Sequence, residues 1–153
     1  MRLNNKGFSY VELVLVMAIM AIMVSIMTLS IGLVNRTNIN RGSEKIGSAL
    51  SQARNTSMAR GANRGAIEIS FDGDQYYIYI GDVNSPDKEQ LKEELVSSPA
   101  KIGYYIEGNS ELQEISTSAS LILKYNQSTG AFQPLASGDY CDSIVLYNGE
   151  KSA

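Results

Sequence analysis

The chain has 153 residues and a formal net charge of −3, with no histidine, no tryptophan and a single cysteine, Cys141. These counts exclude histidine-dependent catalytic triads, histidine-ligated or four-cysteine zinc sites, and an internal disulfide. Residues 1–66 carry eight Lys/Arg against two acids, whereas residues 67–153 carry five against fourteen, so a basic stem precedes an acidic domain that is poorly suited to phosphate-backbone binding.

The first predicted element is an apolar helix long enough to cross a membrane. No charged residue lies between Leu13 and Leu33, and about 20 apolar residues suffice for a spanning helix. Basic residues flank the run on both sides, so the positive-inside rule does not orient it. The run is too long for a secretory signal peptide, and no small-residue cleavage site closes it. By composition alone it is an uncleaved signal anchor.

Glu12 stands at the edge of this apolar run. A carboxylate at the edge of hydrocarbon costs a few kcal/mol unless it is paired. In a chain that began at Phe8, the new α-amino group would lie one helical turn from Glu12 and could pair with it, within one subunit or between neighbours. The alternative is an uncleaved anchor in which Glu12 extends to the lipid headgroups. In both cases the helix N-terminus favours a negative side chain.

The order Gly7-Phe8-Ser9, then Glu12-Leu13, then the apolar run resembles the leader-peptidase motif of the type IV pilin and type II secretion pseudopilin superfamily. The resemblance implies cleavage between Gly7 and Phe8, N-methylation of Phe8, and contact of Glu12 with the Phe8 amine of a neighbouring subunit. It also implies an α+β, pilin-like fold, in which a long N-terminal helix, transmembrane in its first half, packs on a C-terminal antiparallel β-sheet.

Two further stretches, residues 51–60 and 123–132, are similar to segments of the GspH/FimT branch of minor pilins and pseudopilins. The chain departs from the wider superfamily in two ways. It has no proline before Pro86, so a proline kink in the membrane helix is not expected, and its single cysteine cannot form the C-terminal disulfide of many Gram-negative pilins.

Four segments follow: a cleaved leader over 1–7, a transmembrane or filament-core helix over 8–33, an amphipathic helical extension over 34–62, and a β-rich globular domain over 63–153. In the extension, Gly42 and Gly47 weaken the helix by roughly 1 kcal/mol each, enough to allow a local break near residues 40–43. Gly61 or Gly65 is expected to end it. Spacings of three, four and seven predict one stripe that packs on the sheet, formed by Ile39, Ile46, Ala49, Leu50, Ala53 and Ser57.

The domain itself is predicted to be β-rich. Alternation over 66–71 and 75–80, around Asp72-Gly73-Asp74, predicts a hairpin. Ser85-Pro86 predicts the start of a short helix over 88–95, with Leu91 and Leu95 facing inward. Further strands are predicted over 101–106, 120–125, 131–133 and 143–147, the last of which closes the sheet.

The candidate sites for chemistry are weak, and no enzyme, metal or cofactor is predicted. Calcium needs six to eight oxygens, so the aspartates near residues 72–82 and 139–142 indicate solvated turns, and the strand tyrosines indicate packing. Cys141 is interpreted as a small, partly buried side chain, with an intermolecular disulfide or a reactive thiol as the alternative. Arg54, Arg60 and Arg64 are weak nucleic-acid candidates, because no aromatic residues interleave them.

The sequence therefore predicts a minor pilin or pseudopilin, a structural subunit of a type IV pilus or type II secretion-like filament. Its expected location is the cell (inner) membrane, as a single-pass protein with the C-terminal domain outside the cytoplasm, before assembly into a pilus or pseudopilus. Its expected partners are other subunits, prepilin peptidase and the membrane; nucleic acid is not expected. Two alternatives stay open: a surface receptor or adhesin on an uncleaved signal anchor, and a DNA-uptake minor pilin.

Overall fold

The described part of the chain begins with one long helix. The computed structural model describes residues 9–149, with the side chains of residues 26–35 outside that description. Helix α1 spans Tyr10–Arg60, 51 residues, and the chain divides into two compact units, residues 1–36 and residues 37–153. The local break that Gly42 and Gly47 would allow near residues 40–43 does not form, because α1 is continuous there. Gly61 ends the helix, as one of the two predicted alternatives had it: its φ is +105° and its N–H donates to the Ser57 carbonyl.

The described residues of the first unit are helical from Tyr10 onward. Among the residues that the structure describes, no helix combines the length and the mean hydropathy of a membrane-crossing segment.

The second unit is α+β, with antiparallel pairing throughout its described strands. The predicted class is therefore confirmed, but the predicted single sheet is two. Sheet A has the strand order β3-β2-β1-β6, and sheet B has the order β5-β4-β7. The strands are β1 (Ala66–Phe71), β2 (Gln75–Gly81), β3 (Glu93–Ser97), β4 (Ala100–Ile106), β5 (Gln113–Glu114), β6 (Leu121–Leu123) and β7 (Cys141–Asn148).

The β1–β2 hairpin is confirmed in detail. The Asp72 carboxylate accepts hydrogen bonds from the backbone N–H groups of Asp74, at 3.0 Å, and Gln75, at 2.9 Å. This Asx turn is what a short polar side chain offers at the start of a reversal. The predicted strand over 131–133 is reduced to one isolated bridge, between Tyr125 and Phe132.

The predicted helix over 88–95 is wrong. Only a 3₁₀ turn, Lys88–Gln90, is helical, and the chain then enters β3. Leu91 is 60% exposed rather than inward, whereas Leu95 is buried as a strand residue. Pairing of β3 with β2 overrides the local helix signal, as tertiary contacts commonly do.

The predicted stripe on α1 forms the helical side of the core. Ile39 and Leu50 are partly buried at its margin. Gly42 lies on the same side, where an added Cβ would overlap the Val96 side chain and lie 2.8 Å from Leu146 Cδ2. Glycine at this position therefore lets α1 approach β3 and β7 closely. The stripe residues Ile46, Ala49, Ala53 and Ser57 are no more than 6% exposed.

Candidate functional site

The predicted cleavage and methylation residues, Gly7 and Phe8, lie outside the described residues. Glu12 lies in the first turn of α1 and is exposed. The helix ladder begins with the Leu13 N–H, which donates to the Ser9 carbonyl at 3.1 Å. An acid in the first turn of a helix is favoured by the helix dipole, by roughly 0.3–1 kcal/mol. Its pairing with a Phe8 amine stays a prediction.

Around Glu12, α1 presents an apolar surface that we call the stem surface. Glu12 is the only charged residue in the segment 9–25. Ser25 donates its hydroxyl to the Ala21 carbonyl at 2.8 Å, so this polar group is satisfied within the helix. A helix that is apolar all round is typical of segments covered by lipid or by other protein. The exposed side chains of the stem surface are Tyr10, Val11, Leu13, Val14, Leu15, Val16, Met17, Ile19, Met20, Ile22, Met23 and Val24.

The three arginines proposed for nucleic acid do not share a face. Arg54 and Arg60 are both exposed on α1. They are six positions apart, which places them about 120° apart around the helix. The Arg54 guanidinium lies against the turn at Gly130, where an added Cβ would be 2.8 Å from its Nε atom. Arg64 is exposed in the turn after α1. The geometry gives no continuous basic strip.

Sequence reasoning missed a groove of about 540 Å³ on sheet A, here called the sheet A groove. It lies on the face opposite the core, because its strand residues Glu68, Ser70 and Tyr77 alternate with the buried isoleucines of β1 and β2. Hydroxyl and charged side chains dominate the rest of its lining, which comprises Phe71, Asp72, Lys88, Glu89, Lys92, Ser116, Thr117, Ser118 and Ser120.

A buried ion pair forms part of the wall of the sheet A groove. The Glu68 carboxylate lies 2.7 Å from the Lys88 Nζ atom, and these side chains are only 7% and 22% exposed. A carboxylate with so little water needs a cation beside it. The 3₁₀ turn is therefore held to the sheet by charge, and not by the inward leucines that the sequence suggested. The sequence signal for the site is an acid, Glu68, between the two buried isoleucines of β1.

A second polar cluster joins the three strands of sheet B. Lys101 Nζ lies 3.1 Å from Glu114 Oε2, and the Tyr147 hydroxyl donates to the other oxygen of the same carboxylate. Burial, and then the hydrogen bond to Glu114, raises the pKa of Tyr147 well above its ordinary value. The cluster stays partly exposed and ties the β5, β4 and β7 strands together.

Two of the strand tyrosines and Cys141 are at least partly buried within the fold. Tyr76 and Tyr79 are each 4% exposed, which confirms strand packing for this pair. Cys141 is half-buried, as interpreted; burial, and then the charge of Asp142, raises the pKa of its thiol, which lowers its thiolate fraction and reactivity. Within the described residues, no three acidic, cysteine or histidine side chains gather into a group that could hold a metal ion.

No protein-family model, no curated protein and no solved structure matches this chain. Two features stand out among the described residues: the stem surface with its single acid, Glu12, and the sheet A groove with its buried ion pair.

Proposed function

We propose that this chain is a minor pilin or pseudopilin, a structural subunit of a type IV pilus or type II secretion-like filament that is processed after Gly7. The observation that carries the proposal is the stem surface: an all-apolar helical surface with one acid in its first turn. The motif Gly7-Phe8, with Glu12 four residues after Phe8, precedes this surface in the order that the pilin-like resemblance requires.

The stem surface has to be covered, by lipid before assembly and by neighbouring helices afterwards. Burying a large apolar side chain contributes about 1.5–3 kcal/mol, so helices packed side by side, or surrounded by lipid, gain strongly from covering it. Residues 8–33 are accordingly assigned to the membrane before assembly and to the filament core afterwards. This assignment is supported by the uncharged run from Leu13 to Leu33.

Glu12 supplies the register of the assembly. An uncompensated carboxylate in an apolar bundle costs roughly 2.5–3.5 kcal/mol, whereas the apolar side chains around it accept many axial positions. Only a position that brings a cation to Glu12 removes the cost. The α-amino group of a processed Phe8 on a neighbouring subunit is that cation, so cleavage after Gly7 creates the partner that assembly needs.

The second unit is displayed outward in this proposal. Its acidic composition, five Lys against fourteen Asp/Glu over residues 67–153, keeps it soluble beside other subunits. The stripe on α1 anchors it to its own helix, as the burial of Ala53 and Ser57 illustrates. The exposed polar side of residues 37–60 and the two sheets are then free to contact partners.

The first test is processing. The full chain is expressed in membranes with and without an active prepilin peptidase, and its intact mass and N-terminal sequence are measured. We expect a mature chain that begins at methylated Phe8, and we expect Gly7→Val to block cleavage. A chain that retains Met1 while a known substrate of the same peptidase is processed would refute the proposal.

The second test is assembly. Glu12→Gln keeps the size of the side chain and removes its charge, so processing should persist while incorporation into filaments, measured by cross-linking in sheared fractions, should fall about tenfold or more. Glu44→Gln is the matched control, because Glu44 is the other acid of residues 1–66 and is exposed on α1. Equal incorporation of the two variants would show that Glu12 does not set the register.

The sheet A groove favours a second candidate function, a surface binding protein on an uncleaved signal anchor. In that case the mass experiment returns the unprocessed chain, and Ser118→Trp, which fills the groove, abolishes ligand binding without changing the location of the protein. A DNA-uptake role lacks a comparable observation, because the candidate arginines do not share a face.

A further inference from the structure

The strand β7 has one edge that no other described strand covers. β7 ends sheet B in the order β5-β4-β7 and is eight residues long. The other edge strands are shorter, and the β3 edge receives a hydrogen bond from Lys45 Nζ to the Glu94 carbonyl at 2.8 Å. A long edge strand exposes a row of N–H and C=O groups that can pair with another chain.

Two hydrogen bonds identify which backbone groups of β7 point outward. The Ile115 N–H donates to the Ile102 carbonyl, so the backbone groups of Ile102 face β5, and those of its neighbours in β4 face β7. The Gly149 N–H donates to the Pro99 carbonyl, which agrees with this alternation. In β7, therefore, Ser143, Val145 and Tyr147 pair with β4, and the outward groups belong to Ile144, Leu146 and Asn148.

The side chains at the β7 edge are complementary to an extended segment that has alternating apolar residues and a basic residue. Ile144 and Leu146 lie on the core face of sheet B but are only partly buried, so the apolar layer stops unfinished at β7. Residues 125–149 contain no Lys or Arg, whereas Asp139 lies just before β7 and Asp142 is its second residue. An extended segment with alternating apolar residues would continue the layer, and a basic residue in it would meet the acidic end.

We propose that the β7 edge is a docking site for an extended, basic segment of another protein, which adds a strand to sheet B. Such strand addition takes its affinity from main-chain hydrogen bonds and its specificity from alternate side chains. A second copy of this chain is the less suitable occupant, because it would bring two domains with the same strong negative charge together. This inference does not require the filament role to be correct.

The test uses amide hydrogen exchange of the full chain in detergent micelles, with a synthetic octapeptide of alternating valine and threonine between lysines as the probe. In the chain alone, the amides of Ile144, Leu146 and Asn148 should exchange fast, because they face outward. The peptide should slow these three about tenfold or more and leave the amides of Val145 and Tyr147, already bonded to β4, unchanged. The same peptide, N-methylated at alternate residues, keeps its side chains and should have no effect.

Two variants isolate the causes. Asn148→Pro removes one outward N–H and no bond to β4, so it should weaken the peptide effect while thermal unfolding shows that the fold is kept. Asp142→Lys should also weaken it, whereas Asp74→Lys, the same charge change on the β1–β2 turn, should not. Slow exchange of the outward amides in the dilute chain alone would overturn the proposal, and so would equal slowing by the N-methylated peptide. Protection that rises with protein concentration instead of peptide concentration would also overturn it, because that result assigns the edge to a second copy.

Discussion

Two glycines on the same helix are expected to respond in opposite ways to the same substitution. Gly42 and Gly47 both lie in the second unit, on α1, and alanine is about 1 kcal/mol better than glycine inside a helix. At Gly47 an added Cβ meets no heavy atom within 4 Å, so Gly47→Ala should stabilise the chain by the full amount, about 1 kcal/mol. At Gly42 it overlaps Val96 and presses on Leu146.

The cost at Gly42 can be bounded from its surroundings. Val96 is 7% exposed and short, so it cannot swing away into water, whereas Leu146 has a flexible end. Inserting a methyl group into a packed core costs typically 1–3 kcal/mol. After the helix-propensity gain, Gly42→Ala should lie between neutral and about 2 kcal/mol less stable than the wild type, and therefore about 1–3 kcal/mol less stable than Gly47→Ala.

The assay is thermal unfolding of the full chain in detergent, followed by the far-ultraviolet circular dichroism of the β signal. For a domain of this size, 1 kcal/mol moves Tm by roughly 4 °C, so the two variants should differ by at least about that amount. Equal stabilisation by the two substitutions would refute the reasoning, because it would mean that α1 does not approach β3 and β7 at Gly42 as closely as described.

Three further predictions concern the polar groups of the second unit. Lys88→Met should destabilise the fold by roughly 3 kcal/mol in urea unfolding, because it strands the buried Glu68 carboxylate. Lys92→Met should cost less than about 0.5 kcal/mol, because the carboxylate that it leaves unpaired, Glu89, is 72% exposed. Folding raises the pKa of Tyr147 above its ordinary value of 10.0, so the neutral hydroxyl stabilises the fold fully at pH values below 10.0. This stability is lost as the pH rises through the higher folded-state pKa. The urea midpoint of the wild type should therefore fall more steeply above about pH 10 than that of Tyr147→Phe. Because burial raises the pKa of the Cys141 thiol, iodoacetamide should modify the folded chain at pH 8 more slowly than the urea-unfolded chain.

For each of these three predictions, one outcome would contradict it. Equal effects of the two lysine variants would show that the ion pair in the sheet A groove is not desolvated. Parallel alkaline profiles would show that the hydroxyl in the sheet B cluster is not held in its neutral form. Equal alkylation rates would show that the thiol is open to solvent in the fold.

Local signals in the sequence predicted the elements whose contacts are local. The hairpin of β1 and β2 follows from strict alternation and from Asp72, whose carboxylate binds the turn that follows it. The buried stripe on α1 follows from helical spacing, because one face of a helix meets one core. Ala53 is the clearest case, because it was placed on the stripe by helical spacing and is fully buried in the fold.

The remainder depends on contacts between distant residues, which no local pattern encodes. The strand β3 lacks alternation, and its register with β2 shifts between Tyr76 and Tyr77. Glu68 and Lys88 are twenty positions apart, so neither residue alone reveals the buried pair. The division into two sheets was missed because a strand pattern shows that a segment is extended but not which neighbour it chooses.

The strand order of sheet B has a consequence for synthesis on the ribosome. The strands β1, β2 and β3 emerge within a short stretch ending at Ser97 and can associate with α1 at once, whereas β4 pairs with β7, as in Ala100 with Asn148. Until β7 has also been made, Lys101, Gly103 and Tyr105 lack the strand to which their backbone groups bond, and unpaired strand edges make a folding intermediate prone to aggregation. A chain that is truncated before Cys141 therefore leaves the β7 side of β4 as an open strand edge, so correct pairing in sheet B depends on a strand that is made about 35 residues after β4 ends.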